Sequence, residues 1–401
     1  MELRKKAPWV VIAAASAIFG TVNYFSYRAQ VNYIQRFTDQ GLRDIASDVS
    51  SSLVGFARSA ATYAELVATL PESQAALEAR DRGGLVHELA SSYKVSRAKY
   101  GAEQGTFQID LKTFCRLARP DLYGDGVGHR EMMVRANRDK KPQSGLETSI
   151  ASVSVRGVVP VKGPDGHHAG TFEWGFGLSR MFQRLKENAN VDTVLLVDET
   201  TFTAPITSAG VAAKAAAAQA AEADRMVDGF RTVDSTNVEL MKEIVTPELV
   251  SAKAVMIRSE LVADTQFGVV SIPISDFSGR PLGAIIAAKN LAEPQRAMRA
   301  TKLTFLAATL AGLIFLAGVV QIVFNGFLIR PVLEIGEHAE AMLTNPSVKI
   351  DLKKRTDEIG TMAKNLDFLR DRLAREKEAA DRADKVTAQI AKIENAGEKK
   401  A

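Results

Sequence analysis

Residues 150–178 read IASVSVRGVVPVKGPDGHHAGTFEWGFGL, and the period of this stretch decides the fold. Ile150–Val161 and Ala169–Leu178 are rich in β-branched and aromatic residues, and Gly163-Pro164-Asp165-Gly166 between them has turn chemistry, so the stretch predicts a β-hairpin. Upstream, Thr106–Leu111 (TFQIDL) reads as another strand. Downstream, Thr193–Val197, Gly268–Ile274 and Pro281–Ala288 form a second strand group, with the turn Asp276–Arg280 before its last member. Between the groups, the alanine-rich run Val211–Ala223 predicts a surface helix. Before them, Ile34, Phe37, Ile45, Val49, Leu53 and Phe56 recur at helical steps, which predicts one long helix over 29–69. Pro71 interrupts it and starts a second helical stretch that runs through Leu85, Leu89 and Tyr93 towards Tyr100. The class is α+β: a long helix, then two antiparallel sheets in tandem, about 95–192 and about 193–292.

Two apolar runs flank this region. Trp9–Tyr27 (WVVIAAASAIFGTVNYFSY) and Leu303–Phe324 (LTFLAATLAGLIFLAGVVQIVF) are each long enough to cross a bilayer as a helix. Arg4, Lys5 and Lys6 precede the first run, and Asn23–Tyr27 replaces the small residues of a cleavage site, so the run reads as an uncleaved anchor and not a signal peptide. The basic residues 1–8 stay in the cytoplasm, which places 28–302 outside and 325–401 inside. Arg296, Arg299 and Lys302 oppose this orientation, but long translocated segments respond weakly to such charges. The predicted order is therefore 1–8 cytoplasmic, 9–27 membrane, 28–302 exported, 303–324 membrane and 325–401 cytoplasmic.

Composition narrows the function. A net charge of +4 on 401 residues, with no basic stripe interleaved with aromatics, excludes nucleic acid as the expected partner. The single cysteine, Cys115, forms no intramolecular disulfide and reads as a buried small hydrophobe. No metal site is expected, because His87-Glu88 lacks the second histidine of a zinc helix and His167-His168 lacks a third ligand. Phosphate-loop, dinucleotide and nucleophile-elbow motifs are absent, so neither a cofactor nor an enzymatic activity is expected. What stands out is the set Arg116, Arg119, Arg130 and Arg156 beside the first strands, with Glu147 and Glu173 among them. Guanidinium forks suit a carboxylate or phosphate, and acids among them orient the forks or meet a ligand amine. Ion pairs that hold helix to sheet are the other reading. Tyr123 and Trp174 are pocket-wall candidates or core aromatics.

The stretch Phe107–Glu173 carries Phe114-Cys115-Arg116, Arg119-Pro120, Tyr123-Gly124-Asp125, Arg130, Ala136-Asn137, Ser144–Glu147, Arg156–Val161, Asp165-Gly166 and Gly170–Glu173. It resembles the double Cache sensory domain, the exported half of bacterial sensor kinases, cyclases and chemoreceptors, over about 40–292. The resemblance implies a tandem PAS-like fold, an inner-membrane location and a small solute held against a sheet. Gln108 and Gly126 depart from the histidine and second acid of that pattern, and the Arg-x-Trp-Tyr run of amino-acid-binding members is not present.

In the tail, Leu328, Val332, Ile335, Ala339 and Met342 form one coiled-coil seam, and Ile359, Met362, Leu366, Leu369 and Leu373 form another. Asn345-Pro346 lies in the connector, whose Val348, Ile350 and Leu352 are suited to the groove between the helices. Helices this short are marginal alone, so two chains and four helices are expected. With Pro331 just past the second run and Asp357-Glu358-Ile359-Gly360 opening the second helix, residues 325–378 resemble a HAMP domain. That resemblance implies a parallel homodimer that transmits signals through Pro331, Val332, Ile335, Met342, Glu358, Ile359, Met362, Leu366, Leu369 and Leu373. Residues 379–401 read as a charged, solvated helix that leaves no room for an output domain. The expected function is a dimeric inner-membrane receptor for a small anionic or zwitterionic solute, with output through a separate cytoplasmic coiled-coil protein. The alternatives are a membrane-anchored scaffold, or a truncated methyl-accepting chemotaxis protein or histidine kinase.

Overall fold

The structure, a computed structural model, describes residues 2–148, 153–202, 226–344 and 351–398. Two units divide the chain: Asn32–Met298, and Met1–Val31 together with Arg299–Ala401.

In the first unit, the part of helix α1 (Glu2–Ala68) from Asn32 onward supplies the spine, burying Leu42, Ile45, Val49, Ala57, Ala60 and Ala64 at three- to four-residue steps and related multiples. Pro71 opens α2 (Pro71–Glu78), where its missing N–H costs nothing. Asp81 caps α3 (Arg82–Tyr100) by accepting from the Gly84 N–H, and Gly101 ends that helix in the left-handed region at φ 74°. Strands β1 (Ala102–Ile109), β2 (Lys112–Arg116), β3 (Gln143–Thr148), β4 (Val153–Lys162) and β5 (His168–Phe176) form an antiparallel sheet in the order β2-β1-β5-β4-β3, with α4 (Glu131–Asp139) between β2 and β3. After α5 (Ser179–Ala189) the pattern repeats. Strands β6 (Val191–Asp198), β7 (Phe230–Ser235), β8 (Met256–Val262), β9 (Thr265–Ser275) and β10 (Pro281–Asn290) take the order β7-β6-β10-β9-β8, with α6 (Val238–Ile244) and α7 (Pro247–Val250) between β7 and β8.

Alternation along the strands sorts side chains onto two faces. The inner faces of both sheets join α1, α2 and α3 in one core: Phe107, Val155, Val159, Phe172, Trp174 and Phe176 from the first, Leu195, Val197, Ile272 and Ile285 from the second. Cys115 lies in that core as a free thiol; burial pushes it up to about 11, against a smaller opposing pull from Arg82. The contact of α1 with β4 is close, since a Cβ on Gly157 would lie 2.2 Å from the Ala61 backbone nitrogen.

The strands β2, β3, β7 and β8 escape the sequence pattern. Leu111, read as the end of a strand, instead belongs with Asp110 to the β1–β2 turn, both at positive φ (51° and 56°). Ala263 and Asp264 do the same between β8 and β9 (46° and 62°). Both hairpins use left-handed turns without the glycine that usually marks them. The hairpin that decided the fold is found as β4 and β5, although 150–152 lie outside the described residues, as does the helix expected over Val211–Ala223.

The second unit contains Tyr27 and Phe305, whose rings meet edge to face at 6.0 Å. The chain has two helical stretches long and apolar enough to cross a membrane, with mean hydropathy 1.4 and 2.4 in their best windows. Helix α8 (Ala292–Val323) runs into a π-helical turn, Phe324–Ile329, and then α9 (Arg330–Thr344). Pro331 has no N–H to give the carbonyl of Phe327, four residues back, and Arg355 Nη2 donates to that oxygen instead at 3.3 Å. Arg355 also bonds Asp357, which caps α10 (Glu358–Glu398) by accepting from the Gly360 N–H at 3.0 Å. The Arg355 hydrogen bond first, then the Gly360 N–H, hold the Asp357 carboxyl down at about 2.

Ile335 and Met342 of α9 pack with Ile359 and Ala363 of α10, and Leu352 and Leu366 lean on them. Ala363, not Met362, takes the inside position. Met362, Leu369, Leu373 and Val332 remain exposed in the single chain. Val348 and Ile350 lie outside the described residues.

Candidate ligand site

The outer face of the first sheet buries charge. Register places Arg156 opposite Gly175, and Glu173 opposite both Val158 and Thr106, so Arg156 and Glu173 point away from the aromatic core. Glu147, opposite Ser154, joins them from the edge strand β3. Arg130, the residue that precedes α4, reaches in from above.

Arg156 Nη1 donates to Glu173 Oε1 at 2.5 Å, and its Nε donates to Ser154 Oγ at 2.9 Å. Arg130 donates to Glu173 at 2.6 and 2.9 Å and through Nε to Glu147 at 2.8 Å. Gln108 Nε2 donates to Glu173 at 3.2 Å and accepts from the Thr171 hydroxyl at 3.0 Å. Arg156 and Glu173 are each 1% exposed, so this network is cut off from water. Loss of hydration pushes the Glu173 carboxyl up, but Arg130 and Arg156 outweigh it and hold the group down at about 2. Desolvation works against the Arg130 charge, and Glu173 and Glu147 overcome it to raise its pKa.

Two positive and two negative side chains balance here. Arg156 Nη2 is the donor left over, buried and without a partner among the described residues. A low-dielectric site of this kind exchanges partners readily only with groups that restore the balance: a carboxylate for a glutamate, an ammonium for an arginine.

Of the residues singled out in the sequence, Arg130, Glu147, Arg156 and Glu173 come together. Arg116 does not join them, because Asp125 takes its fork at 2.8 and 2.6 Å and the Leu122 carbonyl accepts at 2.8 Å. Loss of hydration raises the Asp125 carboxyl and Arg116 more than reverses this, leaving it below its ordinary value. Arg119 pairs on the surface with Asp121 at 3.4 Å. Tyr123 is exposed, its ring covered by the Arg82 guanidinium at 3.4 Å, and it lines an open surface cleft of about 600 Å³ with Val86, His87 and Pro120. Trp174 is core: alternation turns it to the inner face, 5.4 Å from the ring of Phe172 and 6.3 Å from that of Phe176. Gln108, Thr171 and Ser154 were not singled out as site residues. The signal for the first two was their place at every second position with Thr106 and Glu173.

A helical spine behind two repeated five-stranded sheets, one of which buries a charged cluster on its outer face, defines a tandem sensory module. Residues 39–291 match the model of the double sensory domain of two-component sensor kinases, dCache_3, and the chain belongs to that family. Comparison with the curated proteins gives no match. Among solved structures, the chain is similar to the ligand-binding domain of the Campylobacter jejuni chemoreceptor Tlp3 in complex with 4-methylisoleucine, at 11% identity, covering 67% of this chain and 93% of that one, with a TM-score of 0.36. It is also similar to the periplasmic domain of Vibrio cholerae LuxQ, at 11% identity, covering 61% and 98%, with a TM-score of 0.33.

Proposed function

We propose that this protein is a two-pass inner-membrane receptor whose exported double Cache domain binds a small anionic or zwitterionic solute at the outer face of the first sheet. The observation that carries the reading is the buried network of Arg130, Glu147, Arg156 and Glu173, with Arg156 Nη2 unpartnered among the described residues. Arg116, Arg119, Tyr123 and Trp174 stand apart from it and are not part of the proposed site. The residues from 325 to 378 act as a HAMP domain in a parallel homodimer, in which the exposed Val332, Met362, Leu369 and Leu373 meet their counterparts. The hydrogen bonds from Arg355 to Phe327 and Asp357 support this, because they tie the start of α10 to the end of the second apolar helix. Two packings of such a bundle of nearly equal free energy allow a ligand that prefers one to shift the other.

Thermal unfolding of the full-length protein in detergent, against a panel of amines, amino acids, organic acids and nucleobases, tests the ligand site. A solute that binds only the folded state raises Tm, and Arg156→Gln should abolish the shift. A panel in which every shift survives this substitution would remove the first sheet from the reading.

A further inference from the structure

The second sheet also buries polar groups on the inner side, and several of their atoms have no hydrogen-bond partner among the described residues. Thr193, Leu195 and Val197 follow one another on the inner face of β6; Asp234 stands opposite Leu195 and Arg231 opposite Val197. Thr193, Asp234 and Arg231 therefore form a row, with steps of about 7 Å along the strands. Thr193 Oγ1, Asp234 Oδ2 and both Nε and Nη1 of Arg231 are buried without a hydrogen-bond partner among the described residues. Arg231 is only 8% exposed, and its guanidinium lies 4.2 Å from the centroid of the buried Phe202 ring. Phe202 thus covers one flat side of the cation while leaving its N–H edges free.

An arginine and an aspartate buried this close would ordinarily pair with each other, since leaving either unmatched is costly. Here the register holds them one side-chain step apart. The gap between a guanidinium and a carboxylate suits a molecule with both charges, its acid towards Arg231 and its amine towards Asp234. Asp234 is half-buried, so its end of the row is less enclosed than the Arg231 end. Glu103 of β1 adds to the negative potential there. Its carboxyl is raised above the ordinary range first by loss of hydration, with Arg156 pulling it down and Asp234 pushing it up.

We propose that Thr193, Asp234 and Arg231, over the Phe202 ring, form a second ligand site for a small zwitterion with separated acid and amine groups, distinct from the outer face of the first sheet. Full-length protein in detergent, probed with β-alanine and γ-aminobutyrate by thermal unfolding and calorimetry, tests it. Either compound should raise Tm by several degrees, and acetate or ethylamine, each with one end only, should raise it less. Arg231→Gln and Asp234→Asn should abolish the shift, while Arg156→Gln should leave it intact. Loss of the shift in Arg156→Gln with retention in Arg231→Gln would place binding on the first sheet and overturn the proposal, as would the absence of a shift with both probes. A second variant needs no ligand. If the guanidinium is there to bind, Arg231→Met should melt at or above the wild-type temperature, because an unmatched buried charge does not stabilise the empty protein. A fall of several degrees would make Arg231 a structural residue and end the proposal.

Discussion

The outer face of β1–β5 and the outer face of β6–β10 occupy the same place in two copies of one topology, yet they are built from different chemistry. The first buries Arg156, Glu147 and Glu173 under Arg130. The second buries Val194, Leu196, Val269, Ala284 and Ile286 under Met241 and Ile244 of α6 and Leu249 of α7. The second face carries its charge at the margin, where Asp192 pairs with Lys186, and closes its centre with apolar residues alone. Buried ion pairs of this kind are often no better for stability than hydrophobic residues of similar volume, so stability alone does not require charge on the first sheet. The difference separates a face held together by charge-assisted hydrogen bonds from one held together chiefly by apolar packing.

The largest effect that would break this comparison is expected at Glu173. Glu173→Gln leaves Arg130 and Arg156 with too little counter-charge and should cost about 3–5 kcal/mol in denaturant unfolding, whereas Ile286→Val on the other outer face should cost about 1 kcal/mol. Equal costs would mean the two faces do the same work. The glycines on the inner faces give the next contrast. Gly157→Ala drives a methyl into the α1 backbone and should cost about 1–3 kcal/mol. Gly268→Ala should cost less, since its Cβ would meet only the Leu42 side chain, at 2.6 Å, which can turn away. A reversed order would displace the α1–β4 contact as the tightest point of the core.

Acid offers a third test. The folded Glu173 carboxyl sits at about 2 against an ordinary 4.5, so its contribution to stability is complete above 4.5 and is lost as the pH falls towards 2. On the second outer face the buried Asp192 pairs with the half-exposed Lys186 at 2.8 Å, at the end of β6 and away from Trp174. Trp174 backs the first sheet, and in a Trp9→Phe background its emission should change between about pH 4 and 2; constant emission through that window, with the fold intact, would contradict the linkage. The smallest effect belongs to Arg119. Its exposed pair with Asp121 should contribute less than about 1 kcal/mol, so Arg119→Ala should unfold almost as the parent does.

How much of this was legible in the sequence follows from what each signal measures. Hairpin β4–β5 was legible because Gly163–Gly166 announces its turn, and the α1 spine because its apolar residues keep helical steps. The hairpins β1–β2 and β8–β9 were not, because Asp110-Leu111 and Ala263-Asp264 adopt positive φ without glycine. At the site, charge density alone brought Arg130, Glu147, Arg156 and Glu173 forward, and it brought Arg116 and Arg119 forward with them. Only three-dimensional pairing separates the two groups: Asp121 is two residues from Arg119 and Asp125 nine from Arg116, while Glu173 is 17 residues from Arg156 and 43 from Arg130. The row of Thr193, Asp234 and Arg231 carries no motif at all, since its polar groups come from two strands joined only by register.

The π-helical turn at Phe324–Ile329 has a mechanical consequence. A π turn holds one more residue than an α turn, so converting it would advance everything downstream by one residue, a rotation of about 100°. Pro331 lowers the resistance to that change, because it offers the Phe327 carbonyl no α-helical N–H, and Arg355 donates to that oxygen from outside the helix. A helix joined in this way can behave as a screw with two detents: a small axial pull is answered by a large turn of the face that α9 presents.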